Sequence, residues 1–411
     1  MNASEDLPGS TADRVLVGRD LICFSNDWDG DPLSKTHLMR LLARENRILW
    51  VNSIGYRMPT ASRADLGRVL AKLRRFFAPV AEVEPNLFVL NPLAIPCYGR
   101  ASRAANRLLL RNQVLKAARK LGFSSPITWA FLPGAAVVAG SLGESAVIYY
   151  CVDEFSAFAG VTPGTTADLE ADLLTRSDLV IVTSEQLLRS KSATNPRTRL
   201  VRHGVDFDHF RRALDPSTAI PRDIADLPRP VIGYFGLIAE DWVDLEPLVH
   251  LAGCFPDASL VLIGKSTMDL SPLQAFPNVH ILGRKPYADL PSYCRGFDAA
   301  LIPFPISELT LNSNPLKARE YLAAGLPVVS TPIPEVARLP HCRIAEGPEA
   351  FALAVRAALS DPTPRAERSE AMRSESWQSR LVEIRRHLAE ALEARYASPT
   401  GVDDDKIDRG R

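Results

Sequence analysis

The sequence has few of the features that mark several large classes of protein. Lys plus Arg and Asp plus Glu each number 48, so no excess of either charge favours nucleic acid as a partner. The six cysteines do not occur in C-x-x-C pairs, which argues against a disulfide framework or a zinc site. We therefore predict reduced cysteines in the core of a cytoplasmic protein.

Three further absences exclude more classes of protein. No G-x-G-x-x-G follows a predicted strand, which disfavours a nicotinamide or flavin dinucleotide cofactor. No apolar run approaches the length of a membrane-spanning helix, and residues 1–13 are polar and lack the pattern of a signal peptide. We expect that any contact with a membrane is peripheral, on its inner face.

The 411 residues, of which 46% are apolar, predict two domains with buried cores. Apolar runs of strand length alternate with helical patterns, which is typical of parallel α/β domains. In the first half, strands are predicted at 20–26, 47–53, 86–92, 127–133, 146–153, 179–184 and 198–204. In the second half, they are predicted at 231–236, 259–264, 279–283, 299–304 and 327–331. The fold class is therefore α/β, with two Rossmann-like parallel-sheet domains.

The most informative stretch runs from Asn314 to Ser330 and reads NPLKAREYLAAGLPVVS. Asn314 is a residue type that caps helices, Pro315 suits a first helical position, and Gly325 is a type that ends helices. A helix is thus predicted from Pro315 to Ala324. A strand and a polar loop precede it, and another strand follows it. Ligands of such sheets bind beyond the carboxyl ends of the strands, where a helix N-terminus attracts phosphate.

Lys317 and Glu320 are three residues apart on this helix and therefore share a face. A cation in the first turn opposes the helix dipole by roughly 0.3 to 1 kcal/mol, and a bound diphosphate would offset that cost. The alternative is that Lys317 pairs with Glu320 or Glu308 on a solvated face, where such pairs contribute little. The sequence alone supports both interpretations equally.

The stretch from Asn314 resembles the nucleotide-sugar-binding segment of family 4-like glycosyltransferases (glycosyl transferases group 1), which have the GT-B fold. The resemblance implies two domains that face a cleft and a last helix that crosses back to the first domain. Glu320 matches the second Glu of the family's Glu-x7-Glu motif and would hold the donor's ribose. Asn312 stands where the first Glu is expected to contact the donor sugar. An amide can bond a sugar hydroxyl but supplies no charge.

The resemblance implies further donor contacts, with Asn314 included among them. Gly233 and Gly236 would let the backbone approach the diphosphate closely, while Arg284 and Tyr287 lie in a loop that meets the nucleotide base in relatives. The segments G-Y-F-G and G-R-K-P-Y resemble those of a bacterial exopolysaccharide and teichuronic-acid branch of the family. The donor site is therefore predicted in the second domain.

Candidate residues of the first domain lie in the loop after its first strand, which reads SNDWDGDPLSK, and in the helix that follows. Asp27, Asp29 and His37 are candidates for contact with an acceptor or donor in the cleft, or else form turns and caps. A calcium loop is disfavoured because Pro32 and Leu38 occupy the positions that need Gly and Glu. No metal site is predicted.

Two other positions in this domain are candidates. Asp153 follows a strand and is a candidate to steer or deprotonate an acceptor hydroxyl, although an acidic pair with Glu154 that caps the next turn is the alternative. His203 lies in the sequence RHGVD, which resembles the family's N-G-V-D turn before the second domain. His203 is a candidate for the cleft, with a buried structural role as the alternative.

Between residues 57 and 120, thirteen Lys or Arg stand against three acids. Residues 63–77 have a basic amphipathic pattern, which fits either an anionic membrane surface or an ordinary surface helix. The resemblance favours the membrane, because many relatives glycosylate lipid-linked acceptors, and a polyprenyl-linked acceptor is therefore expected. Nucleic acid is disfavoured, since the segment lacks the alternating aromatic residues of single-strand binders.

Together these observations predict a metal-independent glycosyltransferase of the hexosyltransferase class. It would transfer a sugar from a nucleoside-diphosphate donor to a lipid-linked or saccharide acceptor in cell-surface polysaccharide biosynthesis, without a cofactor. Asp153 and Lys317 are the predicted catalytic residues, and retention of anomeric configuration is implied by the resemblance alone. The alternatives are a nucleotide-sugar epimerase of the same fold and a non-catalytic GT-B scaffold.

The prediction divides the chain into five parts. They are an acceptor-side domain at 14–206, a linker at 207–229, a nucleotide-sugar-binding domain at 230–373, a crossing helix at 374–397 and a disordered tail at 398–411.

Overall fold

The structure is a computed structural model that describes residues 15–53, 80–95, 100–158 and 163–397. The predicted basic helix at 63–77 and the predicted tail at 398–411 lie outside the described residues. The described part contains two sheets, of eight and six strands, in separate halves of the chain. The predicted α/β architecture with two parallel sheets is confirmed.

The first sheet consists of β1 (Asp20–Phe24), β2 (Arg47–Val51), β3 (Ala81–Glu84), β4 (Leu87–Leu90), β5 (Ile127–Ala130), β6 (Ala146–Cys151), β7 (Leu179–Val182) and β8 (Thr198–Leu200). Its order is β3-β4-β2-β1-β5-β6-β7-β8, and only β3 runs antiparallel to its neighbour. Helices α1 (Ser34–Ala43), α2 (Arg100–Lys120), α3 (Pro163–Arg176) and α4 (Glu185–Ser192) lie between strands. Every residue of β6 and β7 is buried, as expected for strands covered on both faces.

The second sheet consists of β9 (Val231–Phe235), β10 (Ser259–Ile263), β11 (Val279–Gly283), β12 (Ala299–Ile302), β13 (Val328–Ser330) and β14 (Cys342–Ile344). All its pairs are parallel, in the order β11-β10-β9-β12-β13-β14. Its helices are α5 (Phe207–Arg211), α6 (Arg222–Ala225), α7 (Leu245–Cys254), α8 (Ser271–Gln274), α9 (Leu290–Gly296), α10 (Glu308–Asn312), α11 (Leu316–Ala323), α12 (Pro334–Ala337), α13 (Pro348–Leu359) and α14 (Arg365–Glu370).

The last described helix, α15 (Trp377–Ala397), returns to the first domain, as predicted. Leu381, Ile384 and Leu388 pack in the core beside the first sheet. The chain passes between the domains along two adjacent segments, because the backbone N–H of Val205 donates to the carbonyl of Glu375 at 2.9 Å. These paired segments form the hinge region of the molecule.

Several local predictions are corrected. The antiparallel strand β3 and the three-residue strand β14 were not predicted. The polar loop before α11 contains the helix α10. Ser307 and Thr310 form a capping box at the N-terminus of this helix. Asn314 does not cap α11, since Pro315 is the N-cap and the Asn314 side chain bonds elsewhere. Cys254 is exposed rather than buried.

Among the residues that the structure describes, no helix has both the length and the apolar character needed to cross a membrane.

Candidate active site

Helix α11 lies between two neighbouring parallel strands, β12 and β13, so its N-terminus faces the carboxyl edge of the second sheet. The helix ends at Gly325, which has a φ of +78°. A Cβ atom at that position would lie 2.6 Å from the carbonyl oxygen of Arg365. The position therefore requires glycine, and the tight turn fixes where α11 stands over the sheet.

Lys317 in the first turn of α11 reaches across to the end of β9. Its Nζ donates to the hydroxyl of Tyr234 at 3.0 Å and lies 4.8 Å from the centroid of the Phe304 ring. A Cβ added to Gly236 would lie 2.8 Å from this Nζ. Burial lowers the pKa of Lys317 to about 7, although the carboxylate of Glu320 acts to raise it. The ammonium thus has no anion in direct contact among the described residues.

Glu320 is 9% exposed and lies one turn further along α11. Burial raises the pKa of its carboxyl to about 8, which Lys317 opposes and Asp206 reinforces. Within the described part of the chain, its carboxylate accepts no hydrogen bond. A buried acid without partners is costly for the free protein, so this position fits a group that a ligand completes.

Two glycines shape the backbone beside Lys317. Gly236 has a φ of +139° and Gly264 a φ of +153°, which side chains rarely permit. A Cβ on Gly264 would lie 1.7 Å from the carbonyl oxygen of Gly236, so the ends of β9 and β10 approach closely only because Gly264 lacks a side chain. Gly233 is different, because it lies inside β9 and leaves room for the Phe297 ring, which a Cβ would meet at 2.1 Å. Its predicted place in a phosphate cradle is corrected to a packing role.

The two asparagines before α11 join the domains. The amide of Asn314 donates to the carbonyl of Thr183 at 2.7 Å, and its oxygen accepts from the guanidinium of Arg319 at 2.7 Å. Asn314 is buried, so its predicted donor contact is corrected to an interdomain one. The carbonyl of Asn312 accepts from the hydroxyl of Ser184 at 2.7 Å. The partly exposed amide of Asn312 stays a predicted contact for the donor sugar.

The loop after β11 also reaches the first domain. Arg284 pairs with Asp31 at 2.6 Å across the mouth of the cleft, with both side chains exposed. The ring of Tyr287 stacks on His209, with centroids 4.6 Å apart, and its hydroxyl is buried without a partner. Burial raises the pKa of Tyr287. The structure therefore places Tyr287 in the hinge packing instead of on an open surface for the base.

On the opposite wall, Asp153 follows β6, and Lys35 lies in the first turn of α1 after β1. Burial raises the pKa of Asp153 to about 7, with Lys35 opposing. Lys35 is 8% exposed, and burial lowers its pKa to about 8, with Asp153 opposing. Sequence reasoning missed Lys35, although it shows the same signal as Lys317, a cation in the first turn of a helix.

Glu154, beside Asp153, has a different environment. Lys191 Nζ donates to Glu154 at 2.7 Å and to Glu170 at 2.8 Å, and the Tyr149 hydroxyl donates to Glu170 at 2.6 Å. Ser156 also donates to Glu154, at 2.7 Å. These bonds hold the loop that carries Asp153.

His37 and His203 both pack against Trp377 at the hinge. The His37 ring stacks on Trp377 at 5.8 Å, and its Nδ1 lies 4.0 Å from Asp206. Burial lowers the pKa of His37 to about 4, which Asp206 opposes. His203 is 5% exposed, and burial together with Arg319 and Arg380 lowers its pKa to about 3. The predicted cleft position of His203 is therefore corrected to a buried one.

Asp27 and Asp29 lie on the exposed loop after β1, and their contact with substrates stays a prediction. In the described ranges, no group of three or more His, Cys, Asp or Glu side chains is arranged to hold a metal ion.

A series of aromatic contacts links the two walls. The ring of Phe158, in the loop after Asp153, lies 6.1 Å from that of Trp242 in the second domain. Trp242 in turn lies 5.3 Å from Phe304, which lies beside Lys317. The Asp153 loop and the N-terminus of α11 therefore border one interdomain cleft.

Comparison with solved structures defines the class of fold. Sucrose-phosphate synthase from Thermosynechococcus elongatus aligns with a TM-score of 0.65 at 18% identity, covering 92% of this chain and 100% of that one. The Anabaena protein HepE in complex with UDP aligns with a TM-score of 0.59 at 16% identity, over 92% of this chain and 100% of that one. A HepE complex with UDP-glucose is similar at 14% identity, with a TM-score of 0.59, over 91% and 99%. The chain is a two-domain GT-B protein.

Sequence comparison places the family in the second domain. Residues 229–361 match the family described as Glycosyl transferases group 1, so this segment is similar to that family. The chain is also 25% identical over 230 residues to a protein described as a putative teichuronic acid biosynthesis glycosyltransferase, TuaH, of Bacillus subtilis (strain 168). That alignment covers 51% of this chain and 56% of the relative, little more than half of each. The predicted resemblance to GT-B glycosyltransferases is confirmed.

Proposed function

We propose that the protein is a glycosyltransferase that moves a sugar from a nucleoside-diphosphate donor to a saccharide or lipid-linked acceptor. The observation that carries this proposal is a pair of incompletely satisfied charges on α11, the partly buried Lys317 and the buried Glu320. Lys317 and Glu320 each lack a direct ionic partner among the described residues, and burial shifts both pKa values towards neutrality. Solved GT-B neighbours with UDP and UDP-glucose support a nucleotide-sugar donor.

Lys317 has the chemistry to stabilise the departing diphosphate. It stands at the N-terminus of α11, where free backbone N–H groups and the helix dipole also attract anions. A diphosphate brought beside the ammonium would favour its protonated form and raise its lowered pKa. These groups would oppose the negative charge that grows on the leaving group, in a cleft from which domain closure excludes water.

Glu320 is assigned to the donor's ribose, whose hydroxyls would supply the hydrogen bonds that its carboxylate lacks. Asp153, on the other wall, is assigned to the acceptor hydroxyl as the group that accepts its proton. Retention of configuration is part of the proposal through the family resemblance. The aromatic contacts between the two walls support these roles, because they bring both walls to one cleft.

The acceptor is proposed to belong to cell-surface polysaccharide synthesis, which the teichuronic acid relative supports. Helix α2 supports contact with an anionic membrane face, because its 21 residues include seven Lys or Arg and no acid. Leu108 on that helix is 65% exposed. A protein that rests on the cytoplasmic face of a membrane would meet a polyprenyl-linked acceptor there.

Calorimetric titration with UDP, GDP, dTDP and their sugars tests the donor site. We expect one nucleotide to bind, and Glu320→Ala to weaken it by about 1.5 to 3 kcal/mol, roughly 10-fold to 150-fold, the scale of a hydrogen bond to a charged group. Glu349→Ala, an exposed acid on α13 of the same domain, serves as the matched control and should bind as the wild type does.

Two results would contradict the proposal. Absence of binding by every nucleotide would leave a non-catalytic scaffold, and near-normal affinity in Glu320→Ala would remove the ribose assignment. Turnover of the donor sugar into an epimer without any acceptor would favour an epimerase instead.

A further inference from the structure

The wall opposite the donor helix carries a second pair of charges that do not touch each other, a buried lysine and a partly buried aspartate. Lys35 is in the first turn of α1, and Asp153 follows β6. Neither the ammonium nor the carboxylate makes a direct ion pair or a hydrogen bond in the described part of the chain. The two groups nevertheless attract each other electrostatically, and each favours the charged form of the other. The gap between them is therefore wider than a contact.

The position of Lys35 has no evident benefit for stability. The side chain is 8% exposed, so its charge is largely desolvated. It also stands at the N-terminus of a helix, where a cation is disfavoured. The N-cap residue, Leu33, provides no side-chain bond that would offset this cost. A cation kept at such a place is better explained by a ligand than by folding.

The topology brings this pair to the acceptor side of the cleft. Strands β1 and β6 are separated only by β5, so their carboxyl ends lie roughly 10 Å apart at the same edge. The loop that carries Asp153 contacts the second domain through Phe158 and Trp242. Its neighbour Glu154 is anchored by Lys191 and Ser156, whereas the Asp153 carboxylate makes no hydrogen bond or ion pair with any residue that the structure describes.

We propose that Lys35 and Asp153 hold the attacking hydroxyl of the acceptor between them, with the ammonium donating to its oxygen and the carboxylate accepting its proton. This assignment rests on the proposed glycosyl transfer. A hydroxyl suits the gap because it is both an acceptor, for Lys35, and a donor, for Asp153. Lys35 is then a catalytic residue, since it touches the reacting oxygen.

The step balances without any further reagent. The acceptor oxygen forms a bond to the anomeric carbon on the same face from which the diphosphate departs, as the proposed retention requires, and the bond between that carbon and the diphosphate oxygen breaks. Its electron pair leaves with the nucleoside diphosphate beside Lys317, and the hydroxyl proton goes to Asp153. Lys35 keeps its proton and stabilises the acceptor oxygen while the new bond forms.

The test measures UDP, GDP or dTDP release from UDP-glucose, GDP-mannose or dTDP-glucose, whichever nucleotide binds. The acceptors are water and n-octyl β-D-glucopyranoside. We expect Lys35→Met to lower kcat/KM for the acceptor about 10²-fold, the effect of losing one preorganised donor, while the nucleotide Kd changes less than twofold. Lys35→Arg should restore part of the activity. Arg189→Met, at an exposed cation of α4 in the same domain, is the matched control and should match the wild type.

Asp153→Asn and the double variant sharpen the test. If both groups act on one oxygen, the double variant should be no slower than the slower single variant. Lys35→Met should unfold at the same or a higher temperature, because a desolvated cation is removed. A lower unfolding temperature, additive losses, or activity within twofold of the wild type would overturn the inference. Failure of the wild type to release any nucleotide would instead overturn the proposed function, and this assignment with it.

Discussion

Each of the two domains contains a cluster of Lys and Glu side chains. The clusters differ in whether the opposite charges contact each other directly. In the first domain, Lys191 contacts Glu154 at 2.7 Å and Glu170 at 2.8 Å. In the second, Lys317 and Glu320 share one face of α11 without a direct ion pair. Burial alone would lower the pKa of Lys191, but its carboxylate partners raise it. The pKa of Lys317 is instead lowered to about 7.

This difference separates a structural cluster from a ligand site. The charges around Lys191 contact one another directly inside the protein, and further bonds from Tyr149 and Ser156 use the remaining carboxylate oxygens. On α11, Glu320 is buried, Lys317 is partly buried and the two are not paired directly, which lowers the stability of the free protein. Sites of this kind occur where a substrate or cofactor supplies the missing partner.

The largest effect should follow from removing the cation of the structural cluster. Lys191→Met leaves two buried carboxylates facing each other, so we expect the free energy of unfolding to fall by about 3 to 5 kcal/mol. Denaturant titration at pH 7 measures this. The double variant Lys191→Met with Glu170→Gln should recover part of the loss, because it removes one of the stranded charges. An unchanged unfolding midpoint in Lys191→Met would mean that direct contact inside the protein does not make this cluster structural.

The second effect is a pH dependence that Glu320 should produce. Its pKa is raised from 4.5 to about 8 in the folded protein, so between these values the folded state holds a proton that the unfolded state has lost. Wild-type stability therefore falls as the pH rises through this window. Lys317, with its pKa lowered from 10.5 to about 7, acts in the opposite direction, adding stability as the pH rises above 7.

Glu320→Gln isolates the contribution of the acid. The variant should be more stable than the wild type by an amount that grows steadily from pH 4.5 to pH 8. Thermal unfolding without nucleotide, at several pH values, measures the difference. Glu349→Gln on α13 should follow the wild type at every pH. A constant difference between Glu320→Gln and the wild type would contradict an unpaired buried acid.

The sequence predicted the elements of the donor side well because their signals are local. Pro315 and Gly325 bound α11, and the family pattern identifies Glu320. Whether Lys317 is exposed or buried could not be decided from spacing, because Tyr234 and Phe304, which enclose it, are distant in sequence. The structure shows Lys317 partly buried beside these two rings, without an ion pair to Glu320 or Glu308.

The predictions that proved wrong also concern residues whose partners are distant in sequence. Gly233 has the residue type of a phosphate loop, but the Phe297 ring explains it, and nothing near Gly233 in sequence indicates that contact. Asn314 has the residue type of a helix cap, but its partners are Thr183 and Arg319. Lys35 was missed because its significance depends on Asp153, which the sheet brings near only after folding. Local patterns thus predicted the fold, while the use of each polar group depended on tertiary contacts.

The smallest effect should come from an ion pair that has direct contact but no burial. Arg284 and Asp31 lie 2.6 Å apart across the mouth of the cleft, and both are exposed to solvent. A double-mutant cycle with Arg284→Ala and Asp31→Ala should give a coupling free energy of unfolding close to zero. Any small coupling at low salt should be lost in high salt, because exposed ion pairs are screened. Gln replacements at both positions serve as controls for lost packing. If the coupling free energy instead matched the loss of stability in Lys191→Met, direct contact alone would decide the strength of an ion pair in this protein. The difference between the Lys191 cluster and the charges on α11 would then need another explanation.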